Sequence, residues 1–187
     1  MNILILCDRN SEDNNENLLF ELQNILAELN HKVSTIILNH EDLLSCTGCF
    51  GCWVKTPGQC VITNDSANSI ASKQVNADAI ILLSEIIFGG FSNDVKAFLD
   101  RSIQNILPLF EIYKGEMHHP KRYEHFPIWI AIGYGDVNDD EKQIFHNLAD
   151  RNALNKRPKR YLSLVVQGCS ELMDKALEIK QILEVSK

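Results

Sequence analysis

The residues best equipped for chemistry are Cys46, Cys49, Cys52 and Cys60, in Cys46-Thr-Gly-Cys-Phe-Gly-Cys-Trp-Val-Lys-Thr-Pro-Gly-Gln-Cys60. Their spacing is x2, x2, x7. Gly48, Gly51, Pro57 and Gly58 lie between them and break any regular helix or strand. The stretch therefore predicts a tight loop that gathers sulfurs at one point. Three chemistries fit it. A [4Fe–4S] cubane needs four thiolates from a pliable loop; the x2, x2 spacing supplies three, and Pro57-Gly58 can turn Cys60 back as the fourth. Zinc accepts the same four thiolates. The thiols can also stay bare, or pair reversibly as a disulfide. Of the remaining cysteines, Cys7 is expected near the pocket described below and Cys169 as a small buried apolar group.

The rest of the chain has to position that loop. Its 187 residues suffice for one domain with a full core. The 45% hydrophobic and 23% charged content is that of an ordinary globular chain rather than a disordered or fibrous one. A net charge of −7 argues against a nucleic-acid partner. The basic run Lys156-Arg-Pro-Lys-Arg160 reads as a solvated loop before a strand. No apolar run reaches the roughly 18 residues of a membrane span. A strand begins at once after Met1 with no basic leader, so a cytoplasmic protein is expected. In that compartment clustered cysteines point to metal or redox chemistry rather than a disulfide framework.

Short apolar runs at Ile3–Cys7, Val33–Leu38, Ala79–Leu83, Ile128–Ile132 and Leu162–Val166 predict five buried strands. Helical periodicity predicts helices over about Asn15–Asn30, from an Asn64 or Asp65 cap to Val75, and over Asn93–Ile106, Asp139–Asn152 and Glu171–Val185. Leu107–Phe126 shows no clear period. Alternating strands and helices predict an α/β, flavodoxin-like three-layer sandwich with a five-stranded parallel sheet of order 2-1-3-4-5. No repeat or linker divides residues 1–187, so a single domain is expected. In such sheets ligands sit beyond the carboxyl ends of the strands. The loops Asp8–Asn15, Ser84–Ser92 and Gly133–Asp139 all leave from that edge, as does the cysteine loop.

The cysteine block, the following Ile62-Thr-Asn-Asp65, and Phe88-Gly-Gly-Phe-Ser-Asn-Asp-Val-Lys-Ala-Phe-Leu-Asp-Arg101 resemble the flavodoxin-like NAD(P)H-dependent FMN reductases, in particular the branch related to iron–sulfur flavoproteins. The resemblance runs along nearly the whole chain. It implies FMN held by three loops, hydride taken from NAD(P)H, a small-molecule or protein electron acceptor, and a homodimer or higher oligomer. In that branch a compact cysteine motif holds a [4Fe–4S] cluster, which would make Cys46, Cys49, Cys52 and Cys60 its ligands. The implied flavin contacts are Arg9, Ser11, Asn14 and Asn15 in the first loop, Ser84, Glu85, Ile87, Phe88, Gly89 and Gly90 in the second, and Gly133, Tyr134 and Gly135 in the third, with Tyr134 stacking on the ring. The alternatives are a Phe88 that fills core and a third loop that is ordinary turn chemistry.

The chain departs from the family at two points. The family opens with roughly Gly-Ser-Pro-Arg and later Gly-Asn-Ser or Gly-Asn-Thr; here the segment is Cys7-Asp-Arg-Asn-Ser-Glu-Asp-Asn-Asn15. Ser84-Glu85 stands where the family has Ser-Pro. A like charge about 5 Å from a phosphate costs on the order of 3 kcal/mol at an effective dielectric near 20, or roughly two decades in affinity. The alternative function is thus a non-enzymatic binding or regulatory protein with weakened or lost flavin binding. Lys96–Arg101 is expected to be structural, with Asp100 and Arg101 pairing or binding loop backbone. The adjacent His118 and His119 are expected to be exposed rather than ligating, and His125 lies in the same irregular segment.

Overall fold

Alternation along each strand builds two cores. The computed structural model describes residues 1–13 and 17–184. Asn14 and Asn15, expected in the first loop, lie outside the described residues. Strand β1 (Asn2–Asp8) sends Ile3, Ile5 and Cys7 to one face and Leu4 and Leu6 to the other. Successive side chains point to opposite faces, and helices cover both, so the run is continuously apolar rather than alternating. Helix α1 (Asn10–Asp13) is a single turn, and α2 (Leu18–Ala27) follows, capped by the Asn17 side chain, which accepts from the Phe20 amide at 2.8 Å. Strand β2 is Lys32–Leu38, α3 is Gly51–Val54 within the cysteine loop, and α4 is Ala67–Asn76.

Strand β3 (Ala79–Ile87) and a two-residue β4 (Gly90–Phe91) precede α5 (Asn93–Arg101). A small hairpin, β5 (Glu111–Tyr113) and β6 (Glu116–His118), occupies the segment without a clear period. Strand β7 (Ile128–Tyr134), α6 (Asp139–Lys156), β8 (Tyr161–Val166), α7 (Cys169–Asp174) and α8 (Ala176–Leu183) complete the described chain. The sheet order is β2-β1-β3-β7-β8, all parallel, with β4 antiparallel to β3. Counting the parallel strands alone, this is the expected 2-1-3-4-5. Helices α2, α7 and α8 pack on one face, and α4, α5 and α6 on the other. No helix among the described residues is long and apolar enough to cross a membrane.

Several boundaries differ from expectation for local reasons. Strand β3 runs four residues beyond Leu83 because Ser84 and Glu85 pair with Gly133 and Tyr134, and Ile86 and Ile87 fold back on Phe91 and Gly90. Phe88 and Gly89 both have positive φ, 49° and 76°, the backbone of a two-residue hairpin turn. Gly133 and Tyr134 accordingly lie inside β7 and not in a loop. The expected C-terminal helix is divided at Lys175, whose amide bonds to the carbonyls of both Glu171 and Leu172 and so tightens the turn. Helix α6 extends to Lys156, and the basic run is not a solvated loop: Lys156 is buried, and Arg157 pairs with Glu111 and lies 4.1 Å over the Tyr113 ring.

The histidine expectation fails as well. His118 is buried, its ring nitrogens facing Asn155 Oδ1 and Glu116 Oε2. His119 is half-buried between Trp53 and Phe110. His125 is exposed, its Nε2 facing the Ala77 carbonyl at 2.9 Å. Cys169, expected buried, is half-exposed at the start of α7.

Candidate functional site

The register ends β1, β3 and β7 level at their carboxyl edge, and Asp8 fills the middle of that edge. Its carboxylate is 1% exposed. Oδ1 accepts from the Tyr134 hydroxyl at 2.5 Å and the Ser11 amide at 3.2 Å; Oδ2 accepts from the Glu85 amide at 2.6 Å. Burial pushes the Asp8 carboxyl above its ordinary range, against the opposing pull of the Tyr134 hydroxyl and the Glu85 amide. Burial, then the neighbouring Asp8, drives the Tyr134 phenol far upward, so it remains a hydrogen-bond donor. Tyr134 is buried within the sheet, so it is not placed to stack on a ring. Its expected role is replaced by orienting Asp8.

Ser11 and Arg9 are also engaged. Ser11 is buried, and its hydroxyl donates to the Asp8 carbonyl at 2.7 Å. Arg9 gives its amide and Nε to Asp94 Oδ2, and its Nη1 lies 3.5 Å from Glu41. Asp94 also accepts the His40 amide at 2.8 Å and faces His40 Nδ1 at 2.5 Å. Burial raises the Asp94 carboxyl, but the His40 and Arg9 donors outweigh it and hold the group below its usual range. Neither Ser11 nor Arg9 therefore presents the donors expected for a phosphate.

In the second loop, Ser84 is buried; its hydroxyl accepts the Ser92 amide at 2.9 Å. It braces the β3–β4 turn and does not face outward. Gly133 is likewise internal: a Cβ there would lie 2.7 Å from Ile86 Cδ1 and 2.8 Å from Phe145 Cζ. Glu85 turns its carboxylate to Asn10 Nδ2 at 2.5 Å. Phe88 does the reverse of filling core: it is 90% exposed at the tip of the turn, with Ile87 exposed beside it. An L residue with positive φ is strained, so the turn holds an aromatic face outward at a cost. Gly89 is close-packed, since a Cβ there would lie 2.7 Å from Ile144 Cβ. Gly90 is half-buried and Gly135, with φ 137°, is half-exposed just beyond β7.

The four loop cysteines are thiols, and all four line one cavity with Thr47, Phe50, Ile62, Arg101 and Ile103. Its volume is about 30 Å³. Cys46 and Cys49 are exposed, Cys52 and Cys60 buried. The Gly51 amide, 3.5 Å from Cys49 Sγ, and the Thr47 side chain lower the Cys49 thiol below its ordinary value. Burial, then the neighbouring Cys60 and Cys46, raises Cys52. Gly51 is required here, because a Cβ would lie 2.6 Å from Val61 Cγ1. Phe50, Trp53, His119 and Phe110 stack in sequence at 5.1, 4.8 and 4.7 Å along the rim.

Arg101 anchors this loop. It is 1% exposed, donates Nη1 to the Leu44 carbonyl and Asp65 Oδ2, and donates Nη2 to the Ile62 carbonyl and Asp65 Oδ1. Its Nε is buried without a partner among the described residues. The expectation that Arg101 binds loop backbone is met, while Asp100 pairs with Lys96 instead. Asp65 does not cap α4 as its N-cap residue, which is Ser66, but Asp65 Oδ1 accepts the Ala67 amide.

The donor chemistry suits a metal–sulfur group: four thiols facing one cavity, and a buried cationic N–H without an acceptor. Four thiolates on one zinc stand about 3.8 Å apart, from tetrahedral bonds of about 2.3 Å. Among the described residues no three His, Cys, Asp or Glu side chains are arranged to hold a single metal ion. A cluster of four irons is larger and holds its ligands further apart. The cavity has room for one or two waters, so loading requires the exposed Cys46 and Cys49 to draw back. A flavin fits less evenly. The turn at Phe88 offers an exposed aromatic seat, but Ser11 and Arg9, among the described residues, are taken by Asp8 and Asp94.

One charged residue of this region, Asp94, escaped the sequence reading. Asp94, Phe98 and Arg101 are spaced i, i+4, i+7 and share the buried stripe of α5. A charge within an apolar stripe signals a buried partner. Here α5 carries one such partner at each end, Arg9 with His40 and Asp65. At about 1.5 Å rise per residue, the seven residues from Asp94 to Arg101 set the sheet edge about 10 Å from the cysteine cavity.

No family model matches this sequence. An iron–sulfur flavoprotein of Methanocaldococcus jannaschii is 38% identical over 91 residues, 49% of this chain and 46% of that protein. The match thus spans about half the length of the relative. Among solved structures, an NAD(P)H:quinone oxidoreductase from Methanothermobacter marburgensis superposes with a TM-score of 0.72 at 12% identity, over 100% of this chain and 98% of that one. An FMN-dependent NADH-azoreductase from Bacillus anthracis in complex with FMN gives 0.61 at 12%, over 97% and 96%. Oxidised flavodoxin 1 from Bacillus cereus gives 0.56 at 12%, over 97% and 96%. The fold of this chain is flavodoxin-like.

Proposed function

We propose that this chain is a flavin-dependent NAD(P)H oxidoreductase whose loop cysteines hold a [4Fe–4S] cluster. The observation that carries the reading is the cavity lined by Cys46, Cys49, Cys52 and Cys60 with a buried Arg101, joined by α5 to the edge where ligands of such sheets sit. The iron–sulfur flavoprotein supports it, as do the fold's quinone- and azo-reducing neighbours. Flavin, when bound, supplies the two-electron acceptor for the nicotinamide hydride, and the cluster a one-electron relay. The chain supplies position and electrostatics. Phe88 and Ile87 would offer a flavin ring an apolar seat, the Gly89-Gly90 and Gly135 backbone would be available to hold it, and Arg101 would offset the negative charge of the thiolates. The reading places the protein in the cytoplasm, where thiols stay reduced.

The test is an absorbance spectrum of protein purified without oxygen, followed by oxidation of NADH or NADPH with a quinone as acceptor. Flavin bands with a broad brown shoulder, and turnover that needs both nicotinamide and quinone, are expected. Changing all four cysteines to Ser removes the shoulder and leaves the flavin bands. A second reading, a binding module without turnover, is favoured by the engagement of Arg9 and Ser11 with carboxylates. Colourless protein that retains no added flavin decides for it.

A further inference from the structure

We infer that Arg101 is a positioning residue for the thiolate set: its Nε–H is kept for the sulfur of Cys60, and the pair favours the reduced, more negative state of a metal–sulfur group bound there. The inference rests on the iron–sulfur reading above and names the side chain that tunes that site. Arg101 lines the cysteine cavity and is 1% exposed. A guanidinium has five N–H groups. Those on Nη1 and Nη2 serve the Leu44 and Ile62 carbonyls and both oxygens of Asp65. The remaining one, on Nε, is buried without an acceptor. A charged donor left in that condition loses its hydration with nothing in return.

Cys60 is the group placed to answer it. Burial pulls the Arg101 guanidinium downward, but Asp65 and Cys60 outweigh it and hold the group above its ordinary value. As a thiol Cys60 is a weak acceptor. As a metal-bound thiolate it is charged, and a charge-assisted hydrogen bond is roughly twice as strong as a neutral one. The backbone of Cys60 is fixed for that role. Its amide donates to Asn68 Oδ1 and Gln104 Oε1, both at 2.9 Å, and its carbonyl accepts from Asn68 Nδ2 at 2.9 Å. Gln104 is itself buried. Cys46 and Cys49 are exposed by contrast, so the outer pair can move for loading while Cys60 stays beside Arg101. Hydrogen bonds to the sulfurs and net charge set the potential of an iron–sulfur group. One added electron makes the sulfurs more negative and strengthens the bond from Nε. No covalent bond breaks in that step, and the proton stays on Nε.

The experiment uses full-length protein grown with arginine isotopically labelled at Nε alone and reconstituted with iron and sulfide without oxygen. Pulsed electron paramagnetic resonance of the dithionite-reduced wild type is expected to show a hyperfine coupling to the labelled nitrogen. Redox titration then compares wild type with Arg101→Lys, which keeps the charge and loses the Nε donor. At the wild-type midpoint the variant's reduced-to-oxidised ratio falls about tenfold, or about 59 mV for one electron. A loaded Arg101→Lys with the wild-type midpoint overturns the inference. So does a reduced wild type without the coupling, a result that needs no variant and decides the matter if the lysine variant fails to fold. Either result leaves the iron–sulfur reading standing. Wild-type protein that takes up no iron and sulfide overturns that reading, and this inference with it.

Discussion

Arg101 and Asp65 form a bidentate pair with neither side chain open to water: Nη1 lies 2.6 Å from Oδ2 and Nη2 3.2 Å from Oδ1. Because the same guanidinium takes the Leu44 and Ile62 carbonyls, the pair fastens both ends of the cysteine loop to α5. Asp65→Asn leaves the buried Arg101 cation without its paired carboxylate and is expected to cost about 3–5 kcal/mol in a urea titration. It also has a pH signature. Burial pushes the Asp65 carboxyl up, but Arg101 and the Ala67 and Leu44 amides outweigh it and hold the group below its usual range. A depressed carboxylate stabilises the fold above the ordinary carboxylate range, and that contribution is lost as pH falls through the folded value. The wild-type stability curve should therefore bend down below about pH 4, and the Asp65→Asn curve should bend less.

Lys156 gives a slope of the same sign in a separate, alkaline window. Its ammonium is wholly enclosed, 2.6 Å from Ser102 Oγ and 3.2 Å from the Ser102 carbonyl, and burial pushes its pKa down to about 8. Between that value and the ordinary lysine range the unfolded chain binds more protons, so stability rises with pH. The rise amounts to about 3 kcal/mol. Lys156→Met should remove the slope between about pH 8 and 10.5 and match or exceed wild-type stability at pH 7. Chemical denaturation across that window checks both; a flat wild-type profile rules out the burial.

Thiol reactivity separates the two halves of the cysteine set. In metal-free, reduced protein Cys46 and Cys49 are open to solvent while Cys52 and Cys60 are buried. Iodoacetamide followed by peptide mass spectrometry should label the first two early and the last two only on unfolding. Reconstitution with iron and sulfide should protect all four, and chelation should restore the original order. Uniform labelling of the folded, metal-free protein would show that the thiols do not share this cavity.

Phe88 gains nothing by packing. It is an exposed aromatic held at φ 49°, and Phe88→Gly removes that strain. Stability should stay level or rise by up to about 1 kcal/mol. If the ring seats flavin, the same change weakens flavin binding by tenfold or more. Loss of stability with unchanged binding would instead make Phe88 a structural residue.

The sheet was legible in the sequence because each central strand is an unbroken apolar run, and two helix layers are the way to cover both of its faces. The cysteine cavity was legible as a spacing, since Gly and Pro leave that loop no regular alternative. The fate of the first-loop residues was not. Asp8 reads as one more loop carboxylate; its role depends on Glu85 and Tyr134, donors 77 and 126 residues away. The Phe88 turn was misplaced for a similar reason: the paired glycines suggested a close turn at Gly89-Gly90, whereas the pairing of Ile86 and Ile87 with Phe91 and Gly90 puts the turn at Phe88-Gly89. The aromatic contacts of His119 with Trp53 and Phe110, and the Arg157–Glu111 pair, likewise join segments that no local pattern links.

The stacked rim of the cysteine cavity also gives the molecule an optical readout of its own state. The chain has two tryptophans. Trp129 is buried in β7 and is not among the residues that line the cavity, so it is the less affected reference emitter. Trp53 lies between Phe50 and His119 and donates its indole N–H to the carbonyl of Ile103, itself a wall of the cavity. An absorbing iron–sulfur group behind that wall would darken Trp53 more than Trp129, so the occupancy of the thiols can be followed by intrinsic fluorescence, in real time and without a label.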